Sequence, residues 1–271
     1  MSVELLGSAL FAGLVAIGVT LAIERFGGRT GGLIGTMPST IVPASIGFHL
    51  SSSPEAAREA LLAVPFGMAV NVLFLWSWSV LPSRTARPLR LAKVLAGALG
   101  IWAVAAALCT LLLDALTVDL LGPAVVITLS MILVGAWACR GAPPSPSGHR
   151  KVGILSLLSR GWMAASAIAL AVWLSDSSPL LAGMASVFPA IFLTTMVALW
   201  ISQGEAVQAG AVGPMMLGST AVSVYALLAT WSLPQLGLVW GSLVAWKGAL
   251  IFATLPAWWW VQRHPAAAPA G

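Results

Sequence analysis

The sequence predicts an all-helical integral membrane protein with about nine crossing helices. These form two inverted-topology repeats of four helices joined by a linker helix, with an interrupted helix in each repeat. Three observations carry the prediction. Hydrophobic residues make up 59% of the chain and charged residues 8%, against roughly 25% charged in soluble domains. Apolar runs of spanning length follow one another from end to end. Punctuation residues also recur in the same order in the two halves, about 150 positions apart, the mark of an internal repeat.

With so few charges a chain of 271 residues could not cover its surface in water; lipid as the outer solvent removes that need. The net charge of +5 does not point to nucleic acid, because the basic residues sit between apolar runs rather than in a basic domain. Cys109 and Cys139 both lie inside apolar segments and read as small core residues, not as a bridge or metal site. Glu4 precedes the first apolar run, where a cleavable leader would carry positive charge, so that run reads as a retained helix.

Taken in order, the expected spans are 4–24, 31–50, 57–81, 92–113, 118–139, 153–174, 180–201, 207–232 and 236–260, each near the roughly 20 apolar residues that cross a bilayer. The first repeat is 1–113. A linker helix and a basic Pro/Ser/Gly-rich loop follow at 114–152, the second repeat at 153–262, and a disordered tail at 263–271. Arg25, Arg29, Arg84, Arg87, Arg90, Lys93, Arg140, Arg150, Lys151 and Arg263 all fall on one side of this arrangement. Glu4, Glu55, Glu59, Asp114, Asp119 and Asp176 collect on the other. Basic connections mark the cytoplasm. The N-terminus is then outside and the C-terminus inside, as expected for a bacterial cytoplasmic (inner) membrane protein. Trp258, Trp259 and Trp260 suit the interface.

The repeat is read from ordered landmarks. GLIGTMP at 32–38 is answered by GMASVFP at 183–189, Glu55-Ala56 by Glu205-Ala206, Pro65 and Gly67 by Pro214 and Gly218, and Leu81-Pro82 by Leu233-Pro234. One unpaired span between the halves inverts the second relative to the first. Inverted repeats with broken helices are a recurring design of secondary transporters, with the site at the repeat interface near the midplane.

Arg29 to Leu50 is the most informative segment. Pro38 and Pro43 remove helix donors. Thr36, Ser39, Thr40 and Ser45 place hydroxyls at bilayer depth. A break there frees backbone polar groups, which hydrocarbon tolerates only against protein or a wet cavity. The competing reading is a kinked helix whose small residues serve close packing. The second half offers Thr194 and Thr195 in the matching place. Lys247, in mid-span, is a site residue by default because an ionisable group at that depth is costly, with snorkelling as its alternative. Glu205 and Arg160 are candidate coupling residues. Glu205 alternatively favours a helix N-terminus, and Arg160 alternatively snorkels. Asn71 and Tyr225 read as interhelical packing, and His49 lacks the further ligands of a metal site.

No catalytic residue, cofactor or metal is expected, and neither a zinc-protease HExxH nor a GxSxG elbow occurs. The expected function is a secondary-type transporter (permease) of a small solute, anionic or zwitterionic in view of Lys247. The rival is a non-transporting scaffold or a lipid-active enzyme with a lateral groove lined by Glu55, Arg58 and Glu59. Expected partners are membrane lipids and a small-molecule or ion substrate, not nucleic acid; a homo-oligomer is compatible with the sequence. In cells, a C-terminal fluorescent-protein fusion is expected to fluoresce and a C-terminal alkaline-phosphatase fusion to be inactive. The opposite pair of results would reverse the orientation.

Overall fold

The computed structural model describes residues 3–26, 37–84, 89–115, 118–141, 154–203 and 205–264. Its described secondary structure is entirely helical. In chain order the helices are α1 (Val3–Phe26), α2 (Ile41–Ser51), α3 (Pro54–Val80), α4 (Arg90–Asp114), α5 (Leu121–Ala138), α6 (Ile154–Leu174), α7 (Pro179–Ser186), α8 (Ala190–Gln203), α9 (Glu205–Ala249) and α10 (Leu255–Arg263). Among the described residues, five helical stretches are long and apolar enough to cross a membrane. Thr36, the loop at 142–153 and the tail at 265–271 lie outside the described residues, as does the side chain of Arg160.

Large apolar side chains stand exposed over much of the outer surface, among them Leu108, Leu112, Leu133, Trp162, Trp173, Val239 and Phe252. In water such contiguous apolar surface would drive aggregation; against lipid it is the ordinary exterior. The chain is a membrane protein on that ground.

α3 is the central helix. In its most apolar window 78% of residues are buried, against 17% in α4. Local signals start it: Ser53 accepts a hydrogen bond from the Ala56 amide at 3.2 Å, Pro54 opens the first turn and Glu55 sits within it, a favourable set for a helix N-terminus. α3 packs along α9, whose residues from Met215 to Ser223 are all buried. α1 packs against α6 through Gly13 and Gly161; a Cβ on Gly13 would lie 3.2 Å from the Gly161 carbonyl oxygen.

α9 is a hairpin, not one rod. Ser232 Oγ donates to the Gly241 carbonyl at 2.9 Å, yet nine residues of straight helix would separate them by about 13.5 Å. The reversal is at Gly237, with φ 74° and ψ 173°, a conformation open to glycine because it has no Cβ. The sequence placed the turn at 233–235, beside Leu233-Pro234. The helix instead runs through Pro234 and turns three residues later, because a proline only removes a donor, whereas a reversal needs a residue able to take positive φ.

α7 lies close on α3 because Gly183 has no side chain: a Cβ there would meet the Ala60 carbonyl oxygen at 2.2 Å and Ala63 Cβ at 2.6 Å. Gly183→Ala is expected to destabilise by about 1–3 kcal/mol, since backbone must move to admit the methyl group. Gly100→Ala, facing open space, is expected to be neutral or stabilising by up to about 1 kcal/mol. Thermal unfolding of both variants in detergent checks the pair.

Candidate functional site

The bend that leads into α2 and the break between α7 and α8 meet at one cavity. The first is the bend at 37–40, where the Ser39 amide bonds the Met37 carbonyl at 2.7 Å and α2 then starts at Ile41. Pro43 falls in the first turn of α2, where its missing amide hydrogen has no intrahelical partner to lose. Pro38, not Pro43, is therefore the proline of the bend. The second is the break at 187–189, between α7 and α8. The Phe188 amide closes on the Ala185 carbonyl at 3.1 Å, and the Ala190 amide on the Phe188 carbonyl at 2.7 Å.

The cavity between them is about 60 Å3, enough for a few water-sized groups, since one water needs roughly 10–15 Å3. Met37, Thr40 and Ile41 line it from the bend, and Ser186 to Phe192 from the break. Asn71 of α3, Val222 of α9 and Ala164, Ala167 and Ile168 of α6 complete the wall with Met68. No charged side chain is among them. Helices α2 and α8 both begin at this wall. The first amides of a helix have no intrahelical acceptor and carry a partial positive charge. Both ends therefore bring partial positive charge toward one small, mostly apolar space, although the Ala190 amide at the start of α8 is already taken by the Phe188 carbonyl.

Asn71 holds the break together. It is buried, its Nδ2 donates to the Val187 carbonyl at 2.7 Å, and its Oδ1 accepts from Trp102 Nε1 at 2.8 Å. Val187 O is a carbonyl that the interruption of the helix has released. The Trp102 ring also meets Phe188 edge to face, with centroids 5.2 Å apart.

Of the residues expected to bind substrate, Thr40 alone is on the cavity wall among those described. Its hydroxyl makes no cap bond to its own helix. Ser45 faces α9: its hydroxyl donates to the Val42 carbonyl at 2.8 Å and lies 2.7 Å from the Tyr225 hydroxyl. With the one serine proton already committed, Tyr225 is the donor of that pair. Ser39 is half-buried in the bend and off the wall. Thr194 turns back onto its own helix, donating to the Ala190 carbonyl at 2.8 Å, and Thr195 is half-buried beside it.

Lys247 is exposed on the outside of the bundle. Ser242, Ala245, Ala249 and Ala253 form the buried stripe of that arm, and a residue two positions from Ala245 and from Ala249 points the opposite way on a 3.6-residue helix. A mid-span position in sequence does not specify which face of the helix it occupies, so depth alone misplaced it in the cavity. Glu205 forms an ion pair with Arg90 at 3.1 Å, and Arg90 also donates to the Pro82 carbonyl, so this carboxylate ties the starts of α9 and α4 together. Arg58 pairs with Asp119 at 3.1 Å on the exposed surface, and Glu55 is exposed nearby in the chain.

Sequence reasoning passed over Asn71 as packing, and did not name Met37, Ser186 or Phe188 as site residues. A signal for Asn71 was available: it is the one amide side chain in an otherwise apolar span, and a buried amide must find partners. No family model matches the chain, and no curated protein or solved structure matches it either. Asn71→Leu is expected to destabilise by about 1–2 kcal/mol, because it orphans the Val187 carbonyl and the Trp102 indole in the membrane interior. Lys247→Ala is expected to change stability by no more than about 0.5 kcal/mol. Melting temperatures in detergent distinguish the two residues.

Proposed function

We propose that the chain is a secondary-type transporter of a small anionic solute, or of a zwitterion that presents its carboxylate to the cavity between the bend and the break. The observation that carries this reading is the convergence of the α2 and α8 N-termini on one small, mostly apolar cavity with no charged side chain among its described lining residues. Half-helix ends of this kind hold anionic substrate groups in transporters built from inverted repeats. The anion preference thus rests on the helix ends and no longer on Lys247.

The same reading takes the chain across the bilayer about nine times, as two inverted repeats, with the N-terminus outside and the C-terminus in the cytoplasm. Its support is the pairing of wall residues about 150 positions apart: Met37 with Val187, Thr40 with Ala190, Ile41 with Ile191 and Asn71 with Val222. Each repeat also places its first helix against the other's first helix, α1 against α6, and the third helix of the first repeat, α3, packs against α9, which carries the third of the second. Those are the contacts a pseudo-two-fold axis through the cavity would produce. Thr40 and Asn71 would supply side-chain contacts, and rocking of one repeat against the other would expose the cavity to alternate sides.

The test is thermal stability of the purified protein against inorganic anions, carboxylates, amino acids, cations and neutral solutes. A ligand confined to the folded state stabilises by about 2.7 kcal/mol at a hundred times its Kd. One anionic class is expected to raise the melting temperature of the wild type and not of Thr40→Val or of Ala167→Leu, which fills the cavity. Stabilisation by cations alone would overturn the anion assignment. The absence of any stabilising solute, together with no solute flux into proteoliposomes, would overturn transport.

A further inference from the structure

A second and much larger hollow lies on the outside of the bundle, about 430 Å3 between α5 and the C-terminal arm. Ile132, Leu133 and Trp137 form one wall, Phe252 and Pro256 the other, and Thr220 lies at its floor. Leu133 is 72% exposed and Phe252 69%, so the walls run out into the lipid-facing surface. Residues Leu250–Thr254 form a π-helical turn. Such single wide turns are rare inside helices and concentrate at functional positions; here the turn carries Phe252 and Ala253, which line the hollow.

One end of this trough is basic and aromatic. The Arg140 guanidinium lies 5.3 Å from the centroid of Trp260, and that of Arg263 lies 4.1 Å from the centroid of Trp259. Trp260 is pinned by its indole hydrogen bond to the Ala136 carbonyl at 3.0 Å. Among the described residues neither arginine has a carboxylate partner. An apolar trough with the Arg140 guanidinium on its wall and that of Arg263 over the lining Trp259, neither paired with a carboxylate among the described residues, matches an amphiphile with an anionic head. A free anion would leave the trough empty, and a neutral lipid would leave the charges unmet.

We propose that this trough is a specific site for an anionic phospholipid, with an acyl chain between α5 and the π-helical turn and the phosphate at Arg140 and Arg263. Basic pockets between membrane helices recognise anionic headgroups by this chemistry. The site does not depend on the transporter reading, because it uses neither the cavity nor the repeat.

Native mass spectrometry of the full, delipidated chain tests it. The titrants are phosphatidylglycerol, phosphatidylcholine with the same acyl chains, and inorganic phosphate. The wild type is expected to hold one phosphatidylglycerol with about tenfold or greater preference over phosphatidylcholine, and inorganic phosphate is expected not to displace it. The double variant Arg140→Gln/Arg263→Gln is expected to lose the preference to within about twofold. Leu133→Trp, which fills the trough, is expected to weaken both lipids. Unchanged melting temperatures of these surface variants without lipid establish that they fold. Equal binding of the two lipids by the wild type, a preference that survives the double substitution, displacement by phosphate alone, or a dimer that excludes lipid from the trough would each overturn the proposal.

Discussion

The structure depends on how backbone polar groups are satisfied where a helix is broken inside a membrane. Hydrocarbon offers no hydrogen bonds, so a released carbonyl must find a protein partner or a wet cavity. At 187–189 the amide of Asn71 supplies that partner to Val187, and Trp102 fixes the amide by donating to its oxygen. The break, the helix end that follows it and the cavity wall are held by this one side chain.

That arrangement requires short helix-to-helix distances, and small residues provide them. Gly183 brings α7 onto the backbone of α3 near Ala60 and Ala63, which places Val187 within reach of Asn71 one turn farther on. Gly13 and Gly161 do the same between α1 and α6. Membrane helices lack a hydrophobic drive toward one another, so close packing and interhelical hydrogen bonds carry the association. The Ser45–Tyr225 bond between α2 and α9 is a second instance, made away from the cavity wall.

The charged groups are kept at the ends and the exterior. Glu205 with Arg90 and Arg58 with Asp119 tie helix ends together at partly exposed positions, where an ion pair contributes modestly. Arg140 and Arg263 instead lie over tryptophan faces beside the outer trough. Among the described residues the cavity wall has no charged side chain, and helix ends supply partial charge there. Two hollows of different chemistry result: a small, mostly apolar cavity beside the starts of α2 and α8, and a larger amphiphilic trough at the periphery.

The sequence by itself determined the helical class, its membrane setting, the positions of most of the described helices and the break at 187–189. These follow from local physics: apolar run length, and prolines and glycines that interrupt it. It also pointed to Thr40, because a hydroxyl beside Pro38 stands next to the bend whatever the packing. Only the tertiary structure decided which polar side chains face the cavity. Ser45 and Thr194 have the right residue type and depth, yet their hydroxyls are consumed by neighbouring groups. Lys247 has the depth but the wrong helical face, and Asn71 was legible as polar but not as the partner of Val187. Rotation of a helix about its axis, and the approach of a second helix, depend on contacts distant in the chain. No local pattern of residues encodes them, so the repeat could suggest that the two segments meet, but not which side chains would face the cavity between them.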